Sequence, residues 1–306
     1  MKSKIASLED SQTQFILLPP AKMRVPSVFR YVEVNQRLYS GLLAEIQRFR
    51  GQIYLADGAL TRGELTEDGR HAPVIDDRSW HVATLDKDGK VTACLRFLEE
   101  TPARHFDDLW VRHAAIANCS TWGKRVRESI EQELIRARQQ RLTFGEVGGW
   151  AIAPDRRWTG DAVKIILATY GLLQLLGGCT GVATATARHA SASVLRRIGL
   201  APFRLDGVEL EPYYDPQYGC LMELLQFDSR YPNPRYSDWV SAFVAHLATA
   251  PVVCPQKHVP LAGMDWLPAA PATAEPRVPG AWISARRAAM RLLTGSPQEA
   301  AFSGSF

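Results

Sequence analysis

The sequence predicts an α/β protein built about one sheet, and three stretches predict it. From Phe144 to Phe203 the chain reads strand, turn, long helix, strand, helix. Residues 144–152 are a short apolar run with the character of a buried strand, Pro154-Asp155 breaks it, and 160–176 is an apolar helix that stops at Gly177-Gly178. Residues 182–186 return as a strand. Residues 80–85 and 91–98 are two further strands, joined by Asp86-Lys87-Asp88-Gly89-Lys90, whose Asp-Gly step marks a hairpin. Leu38, Leu42, Ile46, Phe49 and Ile53 recur at three- and four-residue spacing, which gives an amphipathic helix over 33–55.

The other elements follow in order. Residues 15–18 make a strand ended by Pro19-Pro20. Between the first helix and the hairpin the chain is polar, carries Gly58, Gly63 and Gly69, and closes with Asp76-Asp77-Arg78-Ser79-Trp80-His81. A loop of that length is usually functional or without fixed structure, and Asp76 and Asp77 equally suit the cap of a helix or strand. In the second hairpin strand Val91, Ala93, Leu95 and Phe97 share one face, leaving Cys94 and Arg96 on the other. A loop with His105, Trp110 and His113 has no metal-ligand spacing, so no metal site is predicted. Trp122, Val126, Ile130, Leu134 and Ala137 then stripe a helix, with Ser120 as its N-cap. A tyrosine-rich connection, Pro212-Tyr213-Tyr214-Asp215-Pro216-Gln217-Tyr218-Gly219, leads into a strand at 220–227, and a last docked helix covers 239–247.

With 306 residues the chain has room for one large domain with extensions or two small ones. The expected division is an N-terminal extension at 1–30, one domain at 31–247, and a Pro/Ala-rich tail at 248–306. That tail carries seven prolines between Pro251 and Pro279. A basic amphipathic stretch at 282–293, with Arg286, Arg287 and Arg291, suits weak contact with a membrane surface, or is a dispensable tail. The net charge of +4 is mild, and without a Lys/Arg run or zinc-finger spacing it supports no nucleic-acid partner. The five cysteines are scattered and never paired as C-x-x-C, which fits a reducing cytoplasm. Neither the N-terminus, which lacks an apolar core of signal-peptide length, nor the apolar segment 162–176, which is shorter than the roughly 20 residues a bilayer needs, suggests a membrane or export route.

The chemistry concentrates at Arg157-Trp158-Thr159-Gly160-Asp161-Ala162, where the strand hands over to the helix. Glycine and alanine there let a bulky anion approach backbone N–H groups at the helix start, and an arginine adds charge. The hexad fits Arg-x-x-Gly-x-Ala and resembles the pyrophosphate loop of the GNAT acyltransferase superfamily. Ala192-Ser193-Val194-Leu195-Arg196-Arg197-Ile198-Gly199-Leu200 resembles its later "small-x-x-Leu-x-x-x-Gly-Phe" helix. Within the superfamily, residues 144–152 resemble the "Glu-Leu-Ser-Arg-Phe-Ala-Val" strand of acyl-homoserine-lactone synthases and long-chain N-acyl amino acid synthases. Glu146 matches; the family arginine falls at Gly149 and is absent. Gln47 to Tyr54 is similar to that branch's "Leu-Arg-x-x-Val-Tyr" helix, Arg96 to its "Gly-x-x-Arg" arginine, and Asp77, Ser79 and His81 to the "Asp-x-x-Ser-x-His" element closing the segment that covers the acyl chain.

The resemblance implies a mixed, mostly antiparallel central sheet with a splayed strand pair and helices on both faces. It implies transfer of an acyl group, long-chain in that branch, from a phosphopantetheine thioester on acyl carrier protein or CoA to the amine of an amino acid or similar small molecule. No cofactor would be bound permanently, the thioester being a substrate, and acyl carrier protein would be the partner. A glutamate in an apolar strand is costly to bury unless paired, so Glu146 is a functional carboxylate or half of an ion pair. The expected roles are Glu146 as base, Tyr218 as proton donor to the departing thiolate, and Arg96 and Asp77 as holders of the acceptor or the lid. Ala151 and Ile152 would offer N–H groups to the thioester carbonyl, and Arg156, Arg157, Gly160 and Ala162 would hold the donor phosphate. The missing arginine at Gly149 favours an alternative: a GNAT-shaped module that binds acyl carrier protein or CoA without turnover.

Overall fold

Short apolar strands alternate with helices along the chain and assemble into one ten-stranded sheet. The computed structural model describes residues 13–100, 103, 105–157 and 159–256; residues 1–12, Trp158, and the tail from 257 with its expected basic helix lie outside them. In chain order the elements are β1 (Gln14–Leu18), β2 (Tyr31–Val34), α1 (Gln36–Ala56), β3 (Ser79–Leu85), β4 (Val91–Glu99), α2 (Gly123–Gln139), β5 (Thr143–Ile152) and α3 (Asp161–Leu175). There follow β6 (Cys179–Thr186), α4 (Ser191–Ile198), β7 (Ala201–Pro202), the small hairpin β8 (Arg204–Leu205) and β9 (Val208–Glu209), β10 (Tyr213–Asp215), β11 (Cys220–Asp228), α5 (Ser237–Leu247) and β12 (Pro251–Cys254).

The sheet runs β10-β11-β6-β5-β4-β3-β1-β12-β2, with β7 added on β11. Among the described residues only the β1–β12, β12–β2 and β5–β6 pairs are parallel, so the sheet is mixed and mostly antiparallel, as expected. Register sorts the side chains. Phe15, Leu17, Trp80, Val82, Leu95, Phe97 and Ile152 face α3 and α5 in the main core. On the opposite face Ile16, Ala83, Leu85, Cys94 and Ala151 pack under α1, while Phe144, Val182 and Leu224 pack under α2. The seam between those two apolar clusters, at Arg96, Leu98 and Glu146, is where the polar residues gather.

β5 and β6 pair from Thr143↔Cys179 to Glu146↔Val182 and no further, so the second half of β5 and the end of β6 diverge. Their closest approach requires glycine: a Cβ on Gly181 would lie 1.8 Å from the Gly145 carbonyl oxygen. Gly181→Ala must therefore push the strands apart just where the splay begins. It is expected to cost about 2 kcal/mol and lower Tm by roughly 4–8 °C, read by thermal melting; an unchanged Tm would contradict this packing.

Several boundaries differ from the sequence expectation. β1 lies inside the sheet between β3 and β12, so the strand at 14–18 is core rather than extension, and Pro251–Cys254 is a buried strand rather than the start of a tail. β1 is an apolar run after Gln14 that the sequence reads as a strand, β12 is an apolar run among prolines, and only the long-range pairing that buries them shows that both belong to the sheet. Ser120 does not cap α2; the N-cap is Trp122, because 3₁₀ turns at 110–118 postpone the first helical residue. α1 begins at Gln36, where Asn35 Oδ1 accepts from Leu38 N at 3.0 Å, and the residues before it form β2. Among the described residues no helix is long and apolar enough to cross a membrane.

Candidate active site

Helical spacing puts Gln47, Arg50 and Tyr54 on one side of α1, facing the sheet at the β4–β5 seam. Arg50 is fully buried, and its Nη2 donates to Asp76 Oδ2 at 2.5 Å and to the His71 carbonyl at 2.7 Å. Arg96, reaching up from β4, donates through Nη1 to Asp76 Oδ1 at 3.1 Å, and Gln47 Nε2 donates to Asp76 Oδ2 at 2.9 Å. One buried carboxylate thus ties the cover segment to both α1 and the sheet. Burial alone would raise the Asp76 pKa, but Arg50, His81 and Arg96 hold it well below the usual carboxylate range. His81, whose Nε2 meets the Asp76 carbonyl at 3.0 Å, and His71 are pushed down to about 4 mainly by burial, so both are neutral near pH 7.

The carboxylate brought to this seam is Asp76, not Asp77. Asp77 is exposed, and its backbone carbonyl accepts from Ala21 N at 2.8 Å. A spacing of Asp-x-x-Ser-x-His counted back from Ser79 falls on Asp76, so the sequence carried the signal one residue away from where it was assigned.

Arg50 Nη1 is buried without a hydrogen-bond partner. It points at Gly149, where a Cβ would lie 3.1 Å from that nitrogen and 3.1 Å from the Arg96 Cβ. Gly149 has φ +63°, and the register around it slips so that Gly149 and Trp150 together oppose Leu95: a β-bulge. The position where the resemblance places an arginine is therefore a left-handed glycine. The space beside it belongs to a guanidinium from α1.

Glu146 shares the face of Arg96, because Leu98 opposite Glu146 and Arg96 opposite Gly148 alternate with the strand. Its side chain is buried, Oε2 has no partner, and burial pushes its pKa up to about 8, against a smaller opposing pull from Arg96. It is not half of a tight ion pair. Tyr218, half-buried in the turn from β10 to β11, has its pKa raised by burial and then by Asp215, and it lies within electrostatic reach of Arg96 and Glu146. An Asx turn fixes it: Asp215 Oδ1 accepts from Gln217 N at 2.9 Å and Tyr218 N at 3.4 Å. Tyr213, with a buried hydroxyl lacking a partner, and Tyr54, which donates to the Trp150 carbonyl at 3.3 Å, border the same region.

Ala151 and Ile152 lie on the half of β5 that has no β6 partner. Beyond them Arg156 Nη1 donates to Asp161 Oδ2 at 2.9 Å, and Arg157 Nη2 donates to both oxygens of Asp57, at 2.9 and 2.8 Å. Gly160 is the N-cap of α3 and Ala162 is buried in its first turn. The ten expected residues therefore fall into three places. Glu146, Arg96 and Tyr218 converge at the seam, the loop residues Arg156, Arg157, Gly160 and Ala162 gather at the α3 start beyond Ala151 and Ile152, and Asp77 stands apart. Gln47, Arg50 and Tyr54, whose helix stretch carried a resemblance, and Asp76 were given no site role from the sequence, and Asp57, Arg188 and His189 at the loop were missed.

No protein-family model and no curated protein matches the sequence. Among solved structures, the chain is similar in backbone to BjaI, described as a CoA-dependent acyl-homoserine lactone synthase with SAM and isopentyl-CoA. That match has 12% identity, covers 91% of this chain and 99% of that one, and has a TM-score of 0.48. TofI in a ternary complex with an inhibitor and MTA matches at 14% identity, 71% and 91% coverage and a TM-score of 0.44. FeeM, an N-acyl amino acid synthase from uncultured soil microbes, matches at 10% identity, 60% and 83% coverage and a TM-score of 0.40.

Proposed function

We propose that the chain is a GNAT-type N-acyltransferase that moves an acyl group from a phosphopantetheine thioester to the amine of an amino acid or similar small molecule. The observation that carries this reading is Glu146: a buried carboxylate whose Oε2 has no hydrogen-bond partner, its pKa raised to about 8, beside the point where β5 and β6 part. A base with a pKa near the working pH suits removal of a proton from an ammonium. The freed amine attacks the thioester carbonyl carbon, and the Ile152 N–H, on the side of β5 that β6 has left, receives the oxyanion, while the Ala151 N–H faces Cys94 on β4. Collapse breaks the C–S bond, and Tyr218, kept protonated by burial, gives its proton to the thiolate and takes up the proton that the nitrogen sheds as the amide forms. The loop at Arg156, Arg157, Gly160 and Ala162 holds the donor phosphate. Arg50, Asp76 and Arg96 fix the floor beside the acceptor.

The deciding experiment incubates the protein with an acyl thioester and a mixture of amino acids, following free thiol and identifying products by mass spectrometry. Thiol release with formation of an N-acyl product supports the enzyme. Thioester binding with neither would replace it by the non-catalytic module.

For the donor we favour acyl carrier protein, an acidic partner that the exposed Arg196 and Arg197 on α4 would steer. Arg156 and Lys164, which share Asp161, and Arg196 and Arg197 on α4, the first of them 3.6 Å from Glu223, would give a positive rim around the thioester entrance. Charge reversal at Arg196 and Arg197, or salt raised from about 0.05 to 0.5 M, which shortens the Debye length from about 14 to about 4 Å, should slow turnover with acyl carrier protein. Turnover with acyl-CoA of equal chain length should respond less. Equal responses would remove the preference for the protein donor.

A further inference from the structure

The end of α1 carries an arrangement that the transfer chemistry above uses only through Arg157. Asp57 is the C-cap of that helix, where a carboxylate meets the negative end of the helix dipole and so requires cations. They come from two other elements. Arg157, from the loop before α3, holds both carboxylate oxygens at 2.9 and 2.8 Å, and His189 Nε2, from the turn between β6 and α4, lies 3.4 Å from Oδ1. Arg188 in the same turn donates through Nη1 to the Asp57 carbonyl and through Nη2 to the Tyr218 carbonyl at 3.4 Å. Arg157 Nη1 and His189 Nε2 are only 3.5 Å apart.

Two features make this more than a surface ion pair. The turn that delivers Arg188 and His189 holds two consecutive non-glycine residues, His189 and Ala190, at φ +56° and +58°, a conformation that L residues adopt at a cost. Moreover, Arg157 brings a permanent positive charge to the Asp57 carboxylate and Arg188 a second one to the backbone carbonyl of the same residue, and the group is open to solvent, Arg157 being 20% and His189 41% exposed in their side chains. A carboxylate and a phosphate offer a guanidinium the same two-pronged acceptor geometry.

We infer that Arg157, Arg188 and His189 form an anion site for the phosphoester of the donor's phosphopantetheine arm, and that the Asp57 carboxylate occupies this site until the donor displaces it. The inference rests on the acyl-transfer reading for its choice of ligand. Arrival of the phosphate frees the end of α1, the helix that carries Tyr54 and Arg50 into the acceptor side, and releases Arg188 from the turn holding Tyr218. Donor binding is thereby coupled to the acceptor half of the site.

The test is calorimetric, on the full chain, with CoA, pantetheine and a phosphopantetheinylated carrier protein as probes, and with Asp57→Asn and Arg188→Ala beside the wild type. Removing the competing charge in Asp57→Asn should tighten CoA and the carrier protein about tenfold, and Arg188→Ala should weaken both about tenfold. Pantetheine, which lacks the phosphoester, should respond to neither. Identical CoA affinities in all three proteins, an equal response from pantetheine, or no CoA binding at all would overturn the inference. A response confined to CoA would assign the site to the nucleotide's phosphates and overturn its assignment to the arm. Because binding is read without turnover, altered CoA affinity in a protein that releases no thiol keeps this site and removes the acyltransferase; turnover with unaltered affinities does the reverse.

Discussion

Glu146→Gln is expected to fold and to lose turnover by roughly 10²-fold or more, because the amide keeps the shape of the carboxyl but cannot accept the acceptor's proton. Two further signatures separate this from damage to the fold. In the wild type the rate should rise with pH and level off above about 8, where burial has placed the Glu146 pKa, and the residual activity of the variant should lack that rise. Stability should move the other way. The folded-state pKa of about 8 lies above the ordinary 4.5, so between those values the unfolded chain ionises while the folded one stays protonated. Wild-type stability therefore falls as pH rises through that window and is constant above it. With about 1.4 kcal/mol for each tenfold change in protonation, the loss by pH 7 is on the order of 3 kcal/mol. The glutamine variant escapes it and should melt higher than the wild type at pH 7 while the two converge near pH 4.5. Wild-type turnover, or a variant less stable at pH 7, would sink the assignment of a buried, ionising base.

The strand-helix-strand run at 143–186 and the 79–99 hairpin were legible because each is long, apolar and punctuated by Gly or Pro. Residues 15–18 were legible as a strand but not as an inner member of the sheet, and 251–254 read as the start of a proline-rich tail, since the burial of both depends on a pairing between Leu17 and Val252 across most of the chain. Glu146 stood out as one charge in an apolar strand, and Arg96 by its parity on β4. Asp76 and Arg50 did not. An arginine on an amphipathic helix looks solvated until the cover segment is known to lie over it, and only the folded chain shows Arg50 fully buried. Gly149 was legible as a missing arginine; that Arg50 Nη1 fills the space beside it is a tertiary fact.

Asp76→Asn should be the most destabilising of the substitutions considered. The carboxylate neutralises Arg50 and Arg96, whose side chains are 0% and 9% exposed, and its own is 2% exposed. An asparagine preserves one acceptor but strands two guanidinium groups away from water. Removing one member of a buried ion pair costs about 3–5 kcal/mol, so Tm should fall by on the order of 10 °C. Asp77→Asn, one residue along and exposed, is the control and should shift stability by less than about 0.5 kcal/mol. The pH dependence has a definite sign. The folded Asp76 pKa is depressed below its unfolded value, so its contribution is fully present above about pH 4 and is lost as pH falls below that. The gap between wild type and Asp76→Asn should therefore be constant from pH 5 to 8 and shrink toward pH 2. Adding Arg50→Met to Asp76→Asn removes one stranded cation and should recover part of the loss, a coupling that a double-mutant cycle reads directly. If Asp76→Asn melts within about 2 °C of the wild type at pH 7, Arg50 and Arg96 have other means of neutralisation, and the cover segment is not anchored through this carboxylate.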